Sequence, residues 1–276
     1  MKKWNMVFDV ARCHDCNNCF LACKDEFVGN DFAPYSASQP WHGQRWMNLL
    51  RAEGGQYPKV QVNFLAMPCQ HCDNPPCVTD DGAVYKREDG IVIIDLVKAQ
   101  GRKEILDSCP YGAIYWNDDR GVAQKCTGCV HLVEEGWKET RCSQVCPTGA
   151  LQFVLADDEE IAARTAKEEL GTFRPELGTK PRVLYKNLHR WTHVFLAGNV
   201  VFADTDECGE GAKATLSLAG AVVAELMADE YGDFRIEKLE AGKDYELLVE
   251  APGYESRRMP VKFDKSWNMG SVHLRR

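Results

Sequence analysis

Cysteine is the residue type in this sequence that points most clearly to chemistry. The chain has 13 cysteines among 276 residues, and all except Cys208 fall between Cys13 and Cys146. Several stand two residues apart, a spacing that suits metal ligands better than disulfides. Disulfides also prefer exported proteins, and the first ten residues contain no apolar stretch long enough for a signal peptide. We therefore expect the twelve cysteines before Cys208 to bind metal.

Zinc is the main alternative metal, because cysteine pairs of this spacing are common at zinc sites. The pairs at 69–72 and 126–129 would each fit zinc if taken alone. A third motif does not. It has the spacing of bacterial ferredoxins, in which three cysteines hold one [4Fe–4S] cluster and the fourth reaches a second cluster, and it runs Cys13-x2-Cys16-x2-Cys19-x3-Cys23.

A later motif completes the pairing. It runs Cys126-x2-Cys129-x12-Cys142-x3-Cys146, and exchanging fourth ligands with the first motif gives two clusters. The remaining cysteines, three in a motif at 69–77 and one alone, make a further group of four. We predict three [4Fe–4S] clusters, held by a first set (Cys13, Cys16, Cys19, Cys146), a second set (Cys23, Cys126, Cys129, Cys142) and a third set (Cys69, Cys72, Cys77, Cys109).

Two of these cysteines begin an internal repeat. Cys109 and Cys146 are each followed by proline, a variable residue, glycine and alanine. Proline restricts the backbone and removes a hydrogen-bond donor, whereas glycine permits a tight turn. We expect each cysteine to be the distal ligand of a ferredoxin module, followed by a turn and a short apolar strand.

The ligands of a fourth cluster are missing together. A fourth cysteine in the motif at 69–77 would stand where Asp81 is, and the segment 101–108 offers no cysteine before Cys109. This coherent loss favours three clusters over four.

No catalytic residue is predicted on this chain. His14 and His71 lie within motifs that already have their cysteine ligands, so we expect them to tune potentials through hydrogen bonds or solvent access. Cys208 is interpreted as an incidental thiol. No nucleophile with a partnering base and no glycine-rich phosphate loop stands out in the sequence. The chain is therefore expected to transfer electrons.

Composition excludes other classes of function. The net charge of −8 argues against nucleic-acid binding, and no apolar run reaches the length of a membrane span. We expect a cytoplasmic protein, or one exported as the passenger of a partner that bears a twin-arginine signal.

The chain is long enough for two domains. We predict an α+β ferredoxin-type domain of tandem modules over 1–155, and a connector over 156–194 that starts with a helix at 158–170. An all-β sandwich should follow over 195–276, with turns like those of transthyretin-like, carboxypeptidase-regulatory-like or Ig-like domains. Its candidate strands are 199–203, 214–218, 222–228, 234–239, 245–251, 258–263 and 271–274.

The first 155 residues resemble the four-cluster ferredoxin subunits that accompany molybdopterin enzymes of the dimethyl sulfoxide reductase family. Within that family, the chain is most similar to the small subunits of pyrogallol–phloroglucinol transhydroxylases, in the stretches 13–20, 43–48, 82–85, 89–92 and 176–183. The resemblance implies a large catalytic partner that carries molybdenum and two pterin guanine dinucleotides, a phenolic substrate, and a possible external electron carrier.

Two other functions stay open. One is a structural docking subunit whose clusters are not reduced during turnover, since transfer of a hydroxyl group between phenols needs no net external electrons. The other is a free-standing ferredoxin-like carrier or zinc protein, against which the long connector and the added sandwich argue.

Overall fold

The computed structural model describes all 276 residues, and these divide into two compact units. The first unit comprises 1–51 and 64–188, and the second comprises 52–63 and 189–276. No helix in the structure is both long enough and apolar enough to cross a membrane.

The first unit contains short strands joined by cysteine-bearing loops and short helices. Its strands, including the hairpin whose tip belongs to the second unit, are β1 (Lys3–Asp9), β2 (Asn48–Gln56), β3 (Lys59–Met67), β4 (Val84–Lys86), β5 (Val92–Ile94), β6 (Tyr115–Asn117), β7 (Val122–Gln124), β8 (Leu151–Ala156) and β9 (Val183–Lys186). Its helices are α1 (Asn18–Phe27), α2 (Val130–Glu134), α3 (Arg141–Gln144), α4 (Asp158–Glu168) and the 3₁₀ helices Lys103–Ser108 and Pro175–Leu177.

Strand β1 is the centre of a three-stranded sheet with the order β8-β1-β9. It pairs antiparallel with β8 and parallel with β9, and five of its seven residues are buried. Such a continuous buried run, apolar except for Asn5, is typical of a strand that is covered on both faces. On this sheet, Trp4 stacks on Phe153 with ring centroids 4.5 Å apart.

Two further hairpins, β4–β5 and β6–β7, contribute to one apolar cluster. Val84, Ile94 and Val122 from these strands pack with Cys77 of the third set. The short strands thus supply the apolar contacts that bury Cys77 and pack against Cys109.

The helix predicted at 158–170 is present as α4, and a capping box closes its first turn. Asp157 accepts bonds from the backbone N–H groups of Glu159 and Glu160, and the Glu160 side chain accepts a bond from the N–H of Asp157. Part of the predicted extended connector is a strand, because β9 joins the sheet beside β1.

Besides residues 52–63, the second unit contains the short helix α5 (His189–Thr192) and two sheets around one apolar core. All seven predicted strands are present, with ends shifted by a few residues, as β10 (Val194–Phe202), β11 (Lys213–Leu218), β12 (Ala221–Met227), β13 (Asp233–Leu239), β14 (Asp244–Glu250), β15 (Arg257–Lys262) and β16 (Trp267–Leu274). The sheet orders are β12-β11-β14-β15 and β13-β10-β16.

The tip of the β2–β3 hairpin also belongs to this second unit. The Gly55 N–H donates to the Ser266 carbonyl at 3.0 Å, and the Asn268 N–H donates to Gln56 Oε1 at 2.7 Å. Sequence separation hides this association, because no local pattern in 52–63 indicates where the hairpin docks.

Candidate cluster-binding site

The first set lies at the surface of the first unit. Cys13 follows β1 and Cys146 precedes β8, so the antiparallel pairing of these strands brings the two cysteines to one end of the sheet. Burial raises the pKa of the Cys19 thiol to about 12, and repulsion from Cys13, Cys16 and Cys146 adds to the rise. Cys16 is exposed and the other three thiols are partly buried.

The second set is buried, and helices supply most of it. Cys23 lies on α1, Cys142 lies on α3, and Cys129 directly precedes α2. Burial raises the pKa of Cys129 well above its ordinary value, with further repulsion from Cys142, Cys23 and Cys126. All four thiols are buried, so water would have little access to a cluster bound by them.

The four thiols of the third set line one cavity instead of converging on a single-ion site. Burial raises the pKa of Cys72 to about 12; the Thr179 hydroxyl opposes this rise, and repulsion from Cys69, Cys77 and Cys109 adds to it. The remaining walls are mainly apolar and come from prolines, valine and isoleucine.

The second set lies next to both of the others. Burial raises the pKa of Cys142 to about 12, and the charge of Cys19 in the first set contributes to the rise. Burial likewise raises the pKa of Cys126 to about 11, with a contribution from Cys69 of the third set. The three sets therefore follow one another in space in the order first, second, third.

The repeated turns direct main-chain donors at two sulfurs. Gly112 and Gly149 both have φ of 62°, a left-handed conformation that suits glycine. Within each turn, backbone N–H groups donate to the sulfur of the preceding cysteine. Burial dominates at Cys109 and raises its pKa, whereas at Cys146 the N–H donors and the Thr148 hydroxyl together outweigh burial and lower the pKa. The sequence repeat is thus a repeated way of stabilising a thiolate.

The loop around Cys72 is anchored by a buried arginine from the connector. Only 5% of the Arg182 side chain is exposed, and its guanidinium bonds Asp73 at 2.9 Å and Asp158 at 2.6 Å. Burial acts to raise the pKa of Asp73, but hydrogen bonds from Arg182 and Lys86 hold it below its ordinary value. This connector segment therefore helps to shape the third set.

His71 is buried beside the same loop, whereas His14 is exposed. The Val92 N–H donates to His71 Nδ1 at 3.1 Å, which leaves the proton of the neutral ring on Nε2, an atom without a partner. Burial lowers the pKa of His71 well below its ordinary value, and the charges of Lys125 and Lys86 lower it further. The influence of His71 and His14 on the reduction potential of a cluster stays a prediction.

Ordinary protein contacts stand where a fourth set would need ligands. The Asp81 carboxylate bonds Arg102 at 2.6 Å, and Arg102 also bonds Glu104 at 2.8 Å. The cysteine-free segment forms the 3₁₀ helix Lys103–Ser108, which buries Ile105. Where a fourth set would have its cysteine ligands, the chain thus has an exposed ion-pair network and a buried apolar side chain.

Sequence reasoning missed two buried cations in this region, Lys125 and Arg182. Lys125 is 3% exposed and lines the cavity of the third set. Lysine and arginine are usually surface residues, so neither residue type suggested burial. The position of Lys125 directly before Cys126 was the available signal. Cys208 belongs to the second unit and is exposed.

Comparisons with known proteins agree with this chemistry. The model of a 4Fe-4S dicluster domain matches residues 60–156. The pyrogallol hydroxytransferase small subunit of Pelobacter acidigallici is 44% identical over 278 aligned positions, which cover 99% of this chain and 100% of that protein.

Other relatives match a shorter part of the chain. A putative dimethyl sulfoxide reductase iron–sulfur subunit of Halobacterium salinarum is 31% identical over 68% of this chain and 80% of that protein. A tetrathionate reductase subunit of Salmonella typhimurium is 32% identical over 67% of this chain and 73% of that protein. The chain therefore belongs to the family of iron–sulfur electron-transfer subunits of molybdoenzymes, in which the pyrogallol hydroxytransferase small subunit is a relative along its whole length.

Proposed function

We propose that this chain carries three [4Fe–4S] clusters and serves as the small subunit of a molybdenum enzyme that acts on phenols. The observation that carries the proposal is the gathering of twelve thiols into three neighbouring sets of four. The substrate class is supported by the full-length relative, whose name specifies pyrogallol hydroxytransfer. The partner would be a large subunit with molybdenum bound by two pterin guanine dinucleotides.

The donor sets fit the proposed clusters. Iron–sulfur clusters of this type take four thiolates each, and each set offers four cysteines. The cavity of the third set is lined by all four of its thiols, with mostly apolar walls. When bound, such clusters supply one-electron transfer. The chain's own contribution is to hold the sulfurs, to donate N–H groups to them, and to exclude water from the second and third sets.

We propose that the large subunit docks beside the first set. Electrons must enter where a cluster is near the surface, and Cys16 is the exposed thiol among the twelve. A groove next to this set is lined by α1 and by Trp41, and Leu21 and Trp41 in it are 58% and 78% exposed. Large exposed apolar side chains of this kind are typical of protein interfaces.

The docking face can be tested by substitution. Leu21→Glu should reduce the amount of large subunit that co-purifies with the tagged chain, because it places a charge in the apolar groove. The matched control is Val97→Glu, a change at an 84% exposed valine of the first unit that lies outside the groove. Equal co-purification of the two variants would contradict docking at the groove.

We further propose that 1–155 is the ferredoxin-type domain, that 156–194 is its connector, and that 195–276 is a transthyretin-like sandwich. Two sheets around one core support the last assignment. The sandwich would serve packing and partner contact. The cytoplasm remains the predicted compartment, and an external electron carrier remains a possible second partner.

The decisive experiment measures iron, molybdenum and zinc on one sample of the tagged native complex. We expect about twelve irons, from three four-iron clusters, and about one molybdenum per chain. Zinc without molybdenum would contradict the proposal, and about eight or sixteen irons would contradict the cluster count. Electron paramagnetic resonance (EPR) after substrate addition separates the two roles, because a purely docking subunit would show no reduced cluster.

A further inference from the structure

We propose that Lys125 raises the reduction potential of the cluster at the third set and thereby makes that cluster the preferred site for an electron within this chain. The inference rests on the proposed function, since it requires a cluster there. It concerns one buried cation that lies where the third and second sets meet.

Lys125 is held firmly at the wall of the cavity. It is 3% exposed, and its ammonium group donates hydrogen bonds to the Val92 carbonyl and, at 3.1 Å, to the Cys126 carbonyl. The same residue lines the cavity together with the four thiols of the third set. The charge is therefore fixed beside the position that a cluster would occupy.

No acidic side chain neutralises this lysine. Both of its hydrogen bonds go to main-chain carbonyls, and it forms no ion pair with a carboxylate. A buried ammonium without a counter-charge is strongly unfavourable. The negative charge available to it is that of the thiolates and the cluster that they would bind, so the lysine and the cluster compensate each other.

The field of Lys125 acts mainly on the third set. Lys125 lines the cavity of the third set together with all four of its thiols, whereas its hydrogen bond toward the second set is to the main-chain carbonyl of Cys126. Because reduction adds negative charge to a cluster, a fixed cation nearby favours the reduced form.

Lys86 offers a matched comparison. Its ammonium also contacts the loop of the third set, through the carbonyls of His71 and Cys72, the latter at 2.7 Å. Unlike Lys125, it pairs with a carboxylate, that of Asp73 at 3.1 Å. Removing Lys86 therefore removes main-chain contacts similar to those of Lys125. The charge that is lost, however, is largely balanced by Asp73.

The test is a redox titration of the whole complex, followed by EPR, with Lys125→Met, Lys125→Gln, Lys125→Arg and Lys86→Met. In both neutral variants of Lys125 we expect the ratio of reduced to oxidised third cluster at a fixed potential to fall about tenfold, which is a shift of ~59 mV. The second cluster should shift less and the first should not shift. Lys125→Arg should stay near wild type, and Lys86→Met should shift less than Lys125→Met.

Several outcomes would overturn the inference. A fall in Lys86→Met as large as that in Lys125→Met, an equal shift of all clusters, or no shift in a fully loaded Lys125→Met would each do so. If the neutral variants lose the third cluster and Lys125→Arg keeps it, the charge acts as the counter-ion, as proposed. If Lys125→Arg loses it too, the residue has a packing role instead.

The iron content of the wild-type complex separates this inference from the function on which it rests. Fewer than about twelve irons or no third EPR signal in wild type would overturn the proposed function before any variant is made. With all three clusters present, only the variant potentials decide the role of Lys125.

Discussion

The two halves of the cluster-binding unit differ at corresponding positions of their motifs. In the half with the complete motifs, Cys23 on α1 lies with Cys142 on α3 in a buried set. In the half with the third set, the position corresponding to a fourth motif cysteine is Asp81, which forms an exposed ion pair with Arg102. A contact between thiols in one half is thus a contact between opposite charges in the other.

On the proposed count of three clusters, the difference indicates how this fold can be kept without ligands for a fourth cluster. Buried thiols in an incomplete set would remain reactive and poorly packed. Here the cysteine-free segment instead forms a 3₁₀ helix with Ile105 in the apolar cluster, and the remaining polar positions face solvent as ion pairs. Core packing replaces the cohesion that a cluster would provide.

The largest effect is expected when a cysteine is removed from the half with the complete motifs. Cys142→Ser should abolish the second cluster, because a hydroxyl is a poor substitute for a buried thiolate ligand, and iron should fall by about four per chain. Iron analysis and EPR of the complex measure the loss. Cys208→Ser, at the exposed thirteenth cysteine, is the control and should leave iron unchanged. Unaltered iron in Cys142→Ser would contradict the ligand assignment.

A smaller effect is expected at the anchor of the third set. Arg182→Met should lower the free energy of unfolding of the complex by about 3–5 kcal/mol, because it removes the buried guanidinium that bonds Asp73, Asp158 and Asn5 together, and Lys86 alone remains to pair with Asp73. Denaturant unfolding followed by cluster absorbance measures it. Arg258→Met removes an exposed pair with Glu246 and should cost under about 1 kcal/mol. Similar losses in both variants would refute the anchoring role.

The next largest effect is expected at Ile105, the apolar residue of the cysteine-free segment. Ile105→Ala should destabilise the complex by about 2–4 kcal/mol, since Ile105 is 2% exposed and its removal leaves a cavity. The same denaturant assay applies. Val97→Ala, at an 84% exposed valine, should change the unfolding free energy by about 0.5 kcal/mol or less. An Ile105→Ala variant as stable as this control would mean that the segment is not part of the core.

The smallest effect is expected at Asp81, the position that corresponds to a fourth motif cysteine. Asp81→Cys restores one ligand of a fourth set but none of the other three, so the iron content should not rise. The ion pair with Arg102 that it removes is exposed to solvent, so its loss should leave the stability of the complex almost unchanged. Additional iron in this variant would show that the incomplete half can still build a cluster.

Local patterns predicted much of this architecture. Acidic residues at its start indicate the helix α4, and alternating polarity between turn residues indicates the strands of the second unit. Helix α1 carries Cys23 because the ferredoxin spacing places the fourth cysteine one helical turn beyond the third. Such features depend on residues that are close in sequence, so they can be predicted without knowledge of the tertiary structure.

Contacts between distant segments could not be predicted in this way. The docking of the hairpin tip near Ser266, the entry of β9 into the sheet beside β1, and the pairing of Arg182 with Asp73 each join residues separated by more than a hundred positions. Arg182 and Asp73 are residue types usually found at the surface, and the sequence of β9 does not indicate which strand it pairs with, so these contacts are visible only in the folded chain.

The sequence by itself determined the chemistry of this protein, because the spacing of cysteines along a few residues decides which thiols can approach one cluster. It also determined the family and the run of strands after residue 195. The tertiary structure alone decided the order of the sets, the exposure of the first, and the burial of Lys125 beside the third. These properties arise from how distant segments exclude water and place charge, and burial is a property of the whole fold, so no stretch of sequence carries it.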